Sequence, residues 1–166
     1  MEYQLYKLAF FSSVHFGNGS LDSGEYTFCA DTLFSALCQE AVGIGEETLD
    51  ELVQYAKGGN LLLSDAFPFM DGEYFLPKPV FHIERDKSDA GDSRIKKAYK
   101  KLKYIPTSSF DEYLTGNLSI EAAGLPDELG GYQMKTSAAV RGLEDAMPYR
   151  VRSFRFKRGC GLYVIC

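Results

Sequence analysis

With 166 residues, 45% of them hydrophobic and 14% aromatic, the chain has the size and apolar content of one packed domain, able to bury about 70% of the surface its unfolded form exposes. No apolar run approaches the roughly 20 residues that cross a bilayer, Met1-Glu2-Tyr3-Gln4-Leu5 lacks the features of a secretory signal, and two histidines (His15, His82) with four unclustered cysteines (Cys29, Cys38, Cys160, Cys166) offer no zinc spacing. The net charge of −5 conceals a division: 2 cations stand against 12 carboxylates in residues 1–77, and 16 against 11 in residues 78–166. Either the segregation is accidental or a cytoplasmic protein presents two faces, the basic one suited to a polyanion.

Residues Tyr3–Phe11 alternate, with Tyr6, Leu8 and Phe10 on one face, and predict a strand. Gly17, Gly19 and Gly24 then break the pattern. Asp31 is placed to cap a helix whose stripe is Leu33, Phe34, Leu37, Cys38 and Ala41, stopped by Gly43. Thr48-Leu49-Asp50-Glu51 matches a capping box for a second helix that Gly58-Gly59 ends. Leu61-Leu62-Leu63 opens a buried strand, Asp71-Gly72 turns it, Glu73–Leu76 returns, and Pro77 and Pro79 close the hairpin. After a polar loop, His82–Gly91, comes the clearest helix, Ser93–Lys103, with Ile95, Ala98, Tyr99 and Leu102 on its apolar side. Ser109-Phe110-Asp111-Glu112 starts a short helix ended by Gly116. Ser119–Gly131 reads as loop, and Tyr132–Ser137, Tyr149–Phe156 and Leu162–Cys166 as strands. Helices segregated from antiparallel hairpins predict a single α+β two-layer domain of ferredoxin-like kind.

Three segments carry possible chemistry. His15-Phe16-Gly17-Asn18-Gly19 follows a strand, yet it lacks the third glycine and the immediate helix of a dinucleotide fingerprint. It is therefore a structural turn or a loop whose backbone touches RNA. His15 could act as the general base of a metal-independent ribonuclease, or serve only as a hydrogen-bonding or stacking ring. Arg94, Lys96, Lys97, Lys100, Lys101 and Lys103 place six cations in ten residues with no local acid. Their mutual repulsion would be relieved by a polyanion, the alternative being a solvated surface helix. Lys135, Arg141, Arg150, Arg152, Arg155, Lys157 and Arg158, interleaved with aromatic residues, form a second basic cluster suited to stacking and phosphate contact, or simply an exposed basic strand face. No Walker loop, nucleophile elbow or carboxylate constellation is present.

The ordered set VHFGNG, ADTLFSAL, LLLSDAFPF, LPKP, KKLKYIP and PYRVRSFRF…GLY resembles subunit four of the Csm complex, the type III-A CRISPR RNA-guided effector, within the RAMP superfamily. The resemblance covers nearly the whole chain. It implies a ferredoxin-like RAMP domain, an antiparallel sheet with helices on one face, in a non-catalytic subunit without cofactor or metal. It further implies that the subunit holds the repeat-derived 5′ handle of the CRISPR RNA, with the large polymerase/cyclase-like subunit on one side and a backbone RAMP subunit on the other. Placed on this sequence, it puts His15 and Gly17 in the loop after the first strand near the RNA, Lys96, Lys97, Lys100, Lys101 and Lys103 in the basic segment before YIP, and Lys135 and Arg141 in a segment reaching towards the guide. The family continues past this length, with a glycine-rich loop and a second ferredoxin-like half, so residues 1–166 correspond to one incomplete RAMP domain. A RAMP-fold endoribonuclease using His15 is the alternative.

Overall fold

The computed structural model describes residues 3–80, 97, 99–118, 128–139 and 147–166. Its centre is the last strand. β1 (Leu5–Leu8) and β2 (Phe67–Met70) each pair antiparallel with β7 (Cys160–Ile165), so they run parallel to one another with β7 between them. That arrangement is a split βαβ unit, because α1 (Ala30–Ile44) and α2 (Glu46–Lys57) lie between β1 and β2 in the chain. β3 (Glu73–Pro77) and β4 (Tyr104–Pro106) extend the sheet to the order β1-β7-β2-β3-β4, antiparallel throughout. A single 3₁₀ turn (Thr107–Ser109) and α3 (Phe110–Leu114) follow β4. A long hairpin, β5 (Gly130–Ala139) with β6 (Met147–Phe156), forms a second sheet of two strands. The expected α+β class with an antiparallel sheet is what the chain adopts.

The interior explains the placement of β7. Cys160, Leu162 and Val164 point to one face and are buried with Leu129, Phe154 and Phe156 from the hairpin, Tyr26 and Ala66. Leu8, Phe10, Phe16, Phe28 and Leu33 of α1 pack against them. Burying each large apolar side chain in such a cluster stabilises the fold by about 1.5–3 kcal/mol. The core thus joins the two sheets although they share no continuous ladder. A smaller cluster, Ile105, Tyr113 and Leu118 with Tyr99, Leu102 and Phe110, sits under β4 and α3.

Several local expectations shift. β1 is only four residues long, and Tyr6 is half exposed because the core begins at Leu8 and Phe10. Cys29, not Asp31, is the N-cap of α1; the Ala30 N–H instead donates to the Asp65 carboxylate at 2.8 Å, a cap supplied from 35 residues away. α1 runs through Gly43 to Ile44, and α2 starts at Glu46 with Gly45 before it, which places Thr48 inside the helix. Residues 61–66 are not strand: Ser64 ties them to Ile165 by two hydrogen bonds, and the ladder begins only at Phe67. The Asp71-Gly72 turn is as expected, with φ of 49° and 91°, the paired left-handed geometry of a tight hairpin. Gly159 (φ 82°) packs against that turn so closely that a Cβ there would lie 2.2 Å from Asp71 Oδ1. The loop His82–Gly91 and most of the basic helix lie outside the described residues, but residues 97 and 99–101 are helical.

Candidate nucleic-acid interface

β6 has two edges, and both are occupied. One pairs with β5 over ten residues, from Gly130↔Phe156 to Ala139↔Met147. The other is zipped by the loop after β1: Val14 and Phe154 exchange both backbone hydrogen bonds (2.9 and 2.7 Å), and the Arg152 N–H donates to the Leu21 carbonyl at 2.8 Å. The glycine-flanked segment therefore acts as a third strand-like rail for the basic hairpin.

His15 belongs to that rail. Its Nδ1 lies 2.6 Å from the Arg152 carbonyl oxygen, so Nδ1 carries the proton and donates. The ring sits beside Gly17 and Gly24, where an added Cβ would come within 3.0 Å of His15 Nε2 and 3.4 Å of His15 Nδ1 respectively. At Gly17 the imidazole fills the space a side chain would take, whereas at Gly24 the tighter neighbour is the Phe16 carbonyl oxygen, 3.0 Å from an added Cβ. Phe16 turns inward against Phe10 and Phe28, and Glu25 closes the loop by donating its N–H to the Phe16 carbonyl. The geometry makes His15 a tie between loop and strand.

Alternation along the hairpin sorts its side chains into two faces. On one, Phe154 and Phe156 reach the core while Tyr132, Met134, Arg152 and Arg150 continue outward. The Arg152 guanidinium lies 3.9 Å from the centre of the Tyr132 ring, a cation–π stack. On the other face lie Arg155, Gln133, Ser153, Lys135 and Tyr149. Lys135 is exposed at mid-strand opposite Val151.

The helical turn at 97 and 99–101 reaches the same neighbourhood. A cavity of about 220 Å³ is lined by Lys101, Leu102, Lys103, Tyr104, Tyr132, Glu25 and Tyr26. Lys103 pairs with Glu25 at 3.6 Å, both side chains being largely exposed, an attraction worth no more than about 1 kcal/mol. Burial, with a smaller push from Glu25, raises the Tyr132 hydroxyl pKa above its ordinary value despite the opposing charge of Arg152. Burial followed by neighbouring Tyr104 raises that of Tyr26 further. The phenols lining the cavity stay neutral, so they offer ring faces and hydroxyl donors beside ammonium groups.

The structure thus brings Lys101 and Lys103 to Tyr132, on which Arg152 stacks, and ties His15, with Gly17 beside its ring, to the strand that carries Arg152. Lys97 and Lys100 are exposed on the helical turn; Lys96 and Arg141 lie outside the described residues. Tyr132 and Arg152 are central here, and sequence reasoning misses Tyr132 as a site residue. Its signal, an aromatic residue at a strand start among cations, acquires meaning only through the β5–β6 register. Among the described residues, no group of His, Cys, Asp and Glu could hold a metal ion, and no helix is long and apolar enough to cross a membrane.

No family model matches the chain. It is 35% identical over 158 residues to the CRISPR system Cms protein Csm4 of Mycobacterium tuberculosis, covering 93% of this chain and 50% of that protein. With Csm4 of Streptococcus thermophilus it shares 36% identity over 171 residues, covering 99% of this chain and 53% of that protein. The chain therefore spans about half the length of the curated relatives it matches. Among solved structures, a chain of the Csm3–Csm4 subcomplex in the type III-A CRISPR-Cas interference complex superposes with a TM-score of 0.61 at 17% identity, covering 99% of this chain and 57% of that one. A chain of the Csm1–Csm4 cassette in complex with AMPPNP gives a TM-score of 0.54 at 27% identity, covering 90% and 56%.

Proposed function

The chain is a homologue of the Csm4 proteins along almost its whole length, matching about half of theirs, and on that footing we propose that it is a non-catalytic RNA-binding part of a type III-A CRISPR effector, acting in the cytoplasm. It holds the repeat-derived 5′ handle of the CRISPR RNA as one ferredoxin-like RAMP half, and meets a large Csm1-like subunit and a Csm3-like backbone subunit, the partners named with Csm4 in the related complexes. The observation that carries the RNA assignment is the convergence of Lys101, Lys103, Tyr104 and Tyr132 on one cavity, with Arg152 stacked on Tyr132. Single-stranded RNA is gripped by this combination, cations for phosphates and aromatic faces for bases. Lys97, Lys100 and Lys135 extend the basic path, His15 with Gly17 positions it from behind β6, and Lys96 and Arg141 add to its charge as RNA ligands.

Repeat-derived RNA binding, measured by fluorescence anisotropy across a salt titration, tests this reading. Replacing Lys96, Lys97, Lys100 and Lys101 with alanine weakens binding and flattens the salt dependence by about 0.7 for each phosphate that is no longer neutralised. An unchanged slope sinks the assignment of the basic segment. Incubation of the same RNA with the protein in EDTA leaves it intact; cleavage that disappears in His15→Ala would replace the binding role with a ribonuclease.

A further inference from the structure

At the root of the hairpin, on the opposite side from the Tyr132–Arg152 stack, lies a second cleft of about 510 Å³. Its wall is built from Gly130, Gly131, Arg155, Lys157 and Arg158, with Tyr132, Gln133 and Phe156 completing it, and among the described residues no carboxylate lines it. Two features make it more than an exposed basic strand. Arg155 and Arg158 are exposed, and neither pairs with a carboxylate among the described residues. Directly across the ladder from Arg155 stands Gly131, and a Cβ built on it meets nothing within 4 Å. The main chain there is bare beside a guanidinium, so a group can approach the strand backbone and the cation together.

The adjacent glycine shows that the bareness is local. A Cβ on Gly130 would lie 2.3 Å from the Arg155 carbonyl oxygen and 2.6 Å from the Phe154 ring, so Gly130 is needed for packing. Gly131 has no packing reason to be glycine. Its neighbours are held firmly: the Lys157 N–H donates to the Leu129 carbonyl at 3.0 Å, the Cys160 N–H to the Lys157 carbonyl at 3.1 Å, and Gly159 turns at φ 82°. Arg155 and Arg158 are thus carried on a fixed strand end and turn. A guanidinium matches two phosphate oxygens with parallel N–H donors, which a lysine cannot do.

We propose that this cleft seats a backbone phosphate of single-stranded RNA, with Arg155 and Arg158 as its ligands and Gly131 as the opening that lets the phosphodiester reach them. The proposal rests on the RNA-binding reading and extends it: RNA held at the Lys101–Tyr132 cavity passes around the hairpin root at Tyr132, which lines both clefts. Tyr132 is the hinge of the path.

The test uses the full chain, labelled repeat-derived single-stranded RNA, and two variants. Arg155→Gln with Arg158→Gln removes the phosphate ligands; Gly131→Leu fills the opening without changing charge. The double glutamine variant is expected to lose about 0.7 from the salt slope, the share of one phosphate, and to bind roughly 5-fold more weakly at 0.1 M salt. Gly131→Leu is expected to weaken binding at least threefold while its melting temperature stays within a few degrees of the parent. If both variants bind as the parent does while the lysine variants are still impaired, the cleft is overturned and the RNA reading stands. If the lysine variants also bind normally, both fall. ATP that competes at the cleft, and loses that competition in the double glutamine variant while RNA affinity is unchanged, would assign the site to a free nucleotide and overturn the proposal.

Discussion

Gly130 and Gly131 are neighbours in one strand, yet they should respond oppositely to the same substitution. In Gly130→Ala the new methyl group meets the Arg155 carbonyl oxygen at 2.3 Å and two atoms of the Phe154 ring at 2.6 and 2.8 Å. Ordinary contact needs about a further ångström, and neither obstacle yields easily. The oxygen belongs to the β5–β6 ladder, and the ring is 2% exposed in the middle of the core. Overpacking of this kind costs about 1–3 kcal/mol, and for a chain of 166 residues each kilocalorie lowers the melting temperature by roughly 2–4 °C. Gly130→Ala should therefore melt about 2–12 °C below the parent. Gly131→Ala, whose Cβ meets nothing within 4 Å, should stay within about 0.5 kcal/mol of the parent. Differential scanning calorimetry of the three proteins decides the matter. Equal melting temperatures for the two variants would refute the hairpin register, and with it the separation of the two clefts that the register creates.

Asp65→Ala should cost about 1 kcal/mol, as removal of a helix cap does, because Asp65 accepts the Ala30 N–H at the start of α1; a urea melt unchanged from the parent would contradict the cap. Tyr163, 2% exposed and donating to the Phe75 carbonyl at 2.9 Å, has its hydroxyl pKa pushed up to about 12, first by burial and then by Tyr74. Its contribution is fully present below pH 10, the unfolded value, and is lost as pH rises towards 12, about 2–3 kcal/mol in all. Tyr163→Phe should flatten the alkaline fall in stability over that window, measured by urea melts at stepped pH. Burial alone would raise the Glu73 carboxyl, but the Ser108 N–H and the Thr107 hydroxyl, at 3.0 and 2.9 Å, outweigh it and hold the carboxyl below its ordinary pKa. The stability it adds is present above the unfolded carboxylate pKa and is lost as pH falls through the folded one. Glu73→Gln should therefore lower stability at neutral pH by about 1 kcal/mol and by less in acid; an equal loss at both pH values would contradict the charge-assisted bonds.

Much of the fold is legible without coordinates, and the failures have physical causes. The Asp71-Gly72 turn can be read because paired left-handed dihedrals need those residue types locally. The α1 cap cannot: Asp31 has the right chemistry in the right place, but Asp65 arrives from a distant segment and takes the first N–H. Leu61-Leu62-Leu63 has strand composition, yet β2 starts only where β7 offers a partner, at Phe67. Strand formation depends on that partner as much as on propensity.

For the candidate site the division is similar. The basic helix and the basic strand are visible as charge without local neutralisation. So is the glycine-flanked His15, whose sequence context equally allows a catalytic ring. Composition and order within the chain alone thus determine that residues after 78 are suited to a polyanion, and that the class is α+β. Only the tertiary structure decides that His15 commits Nδ1 to the Arg152 carbonyl, that Tyr132 meets Arg152 on one side and Lys101 and Lys103 on another, and that Gly131 leaves a gap opposite Arg155. These are contacts between segments tens of residues apart. A strand's alternation says which side chains share a face, but which partner lies across from them is set by register, and register is fixed by what the core buries.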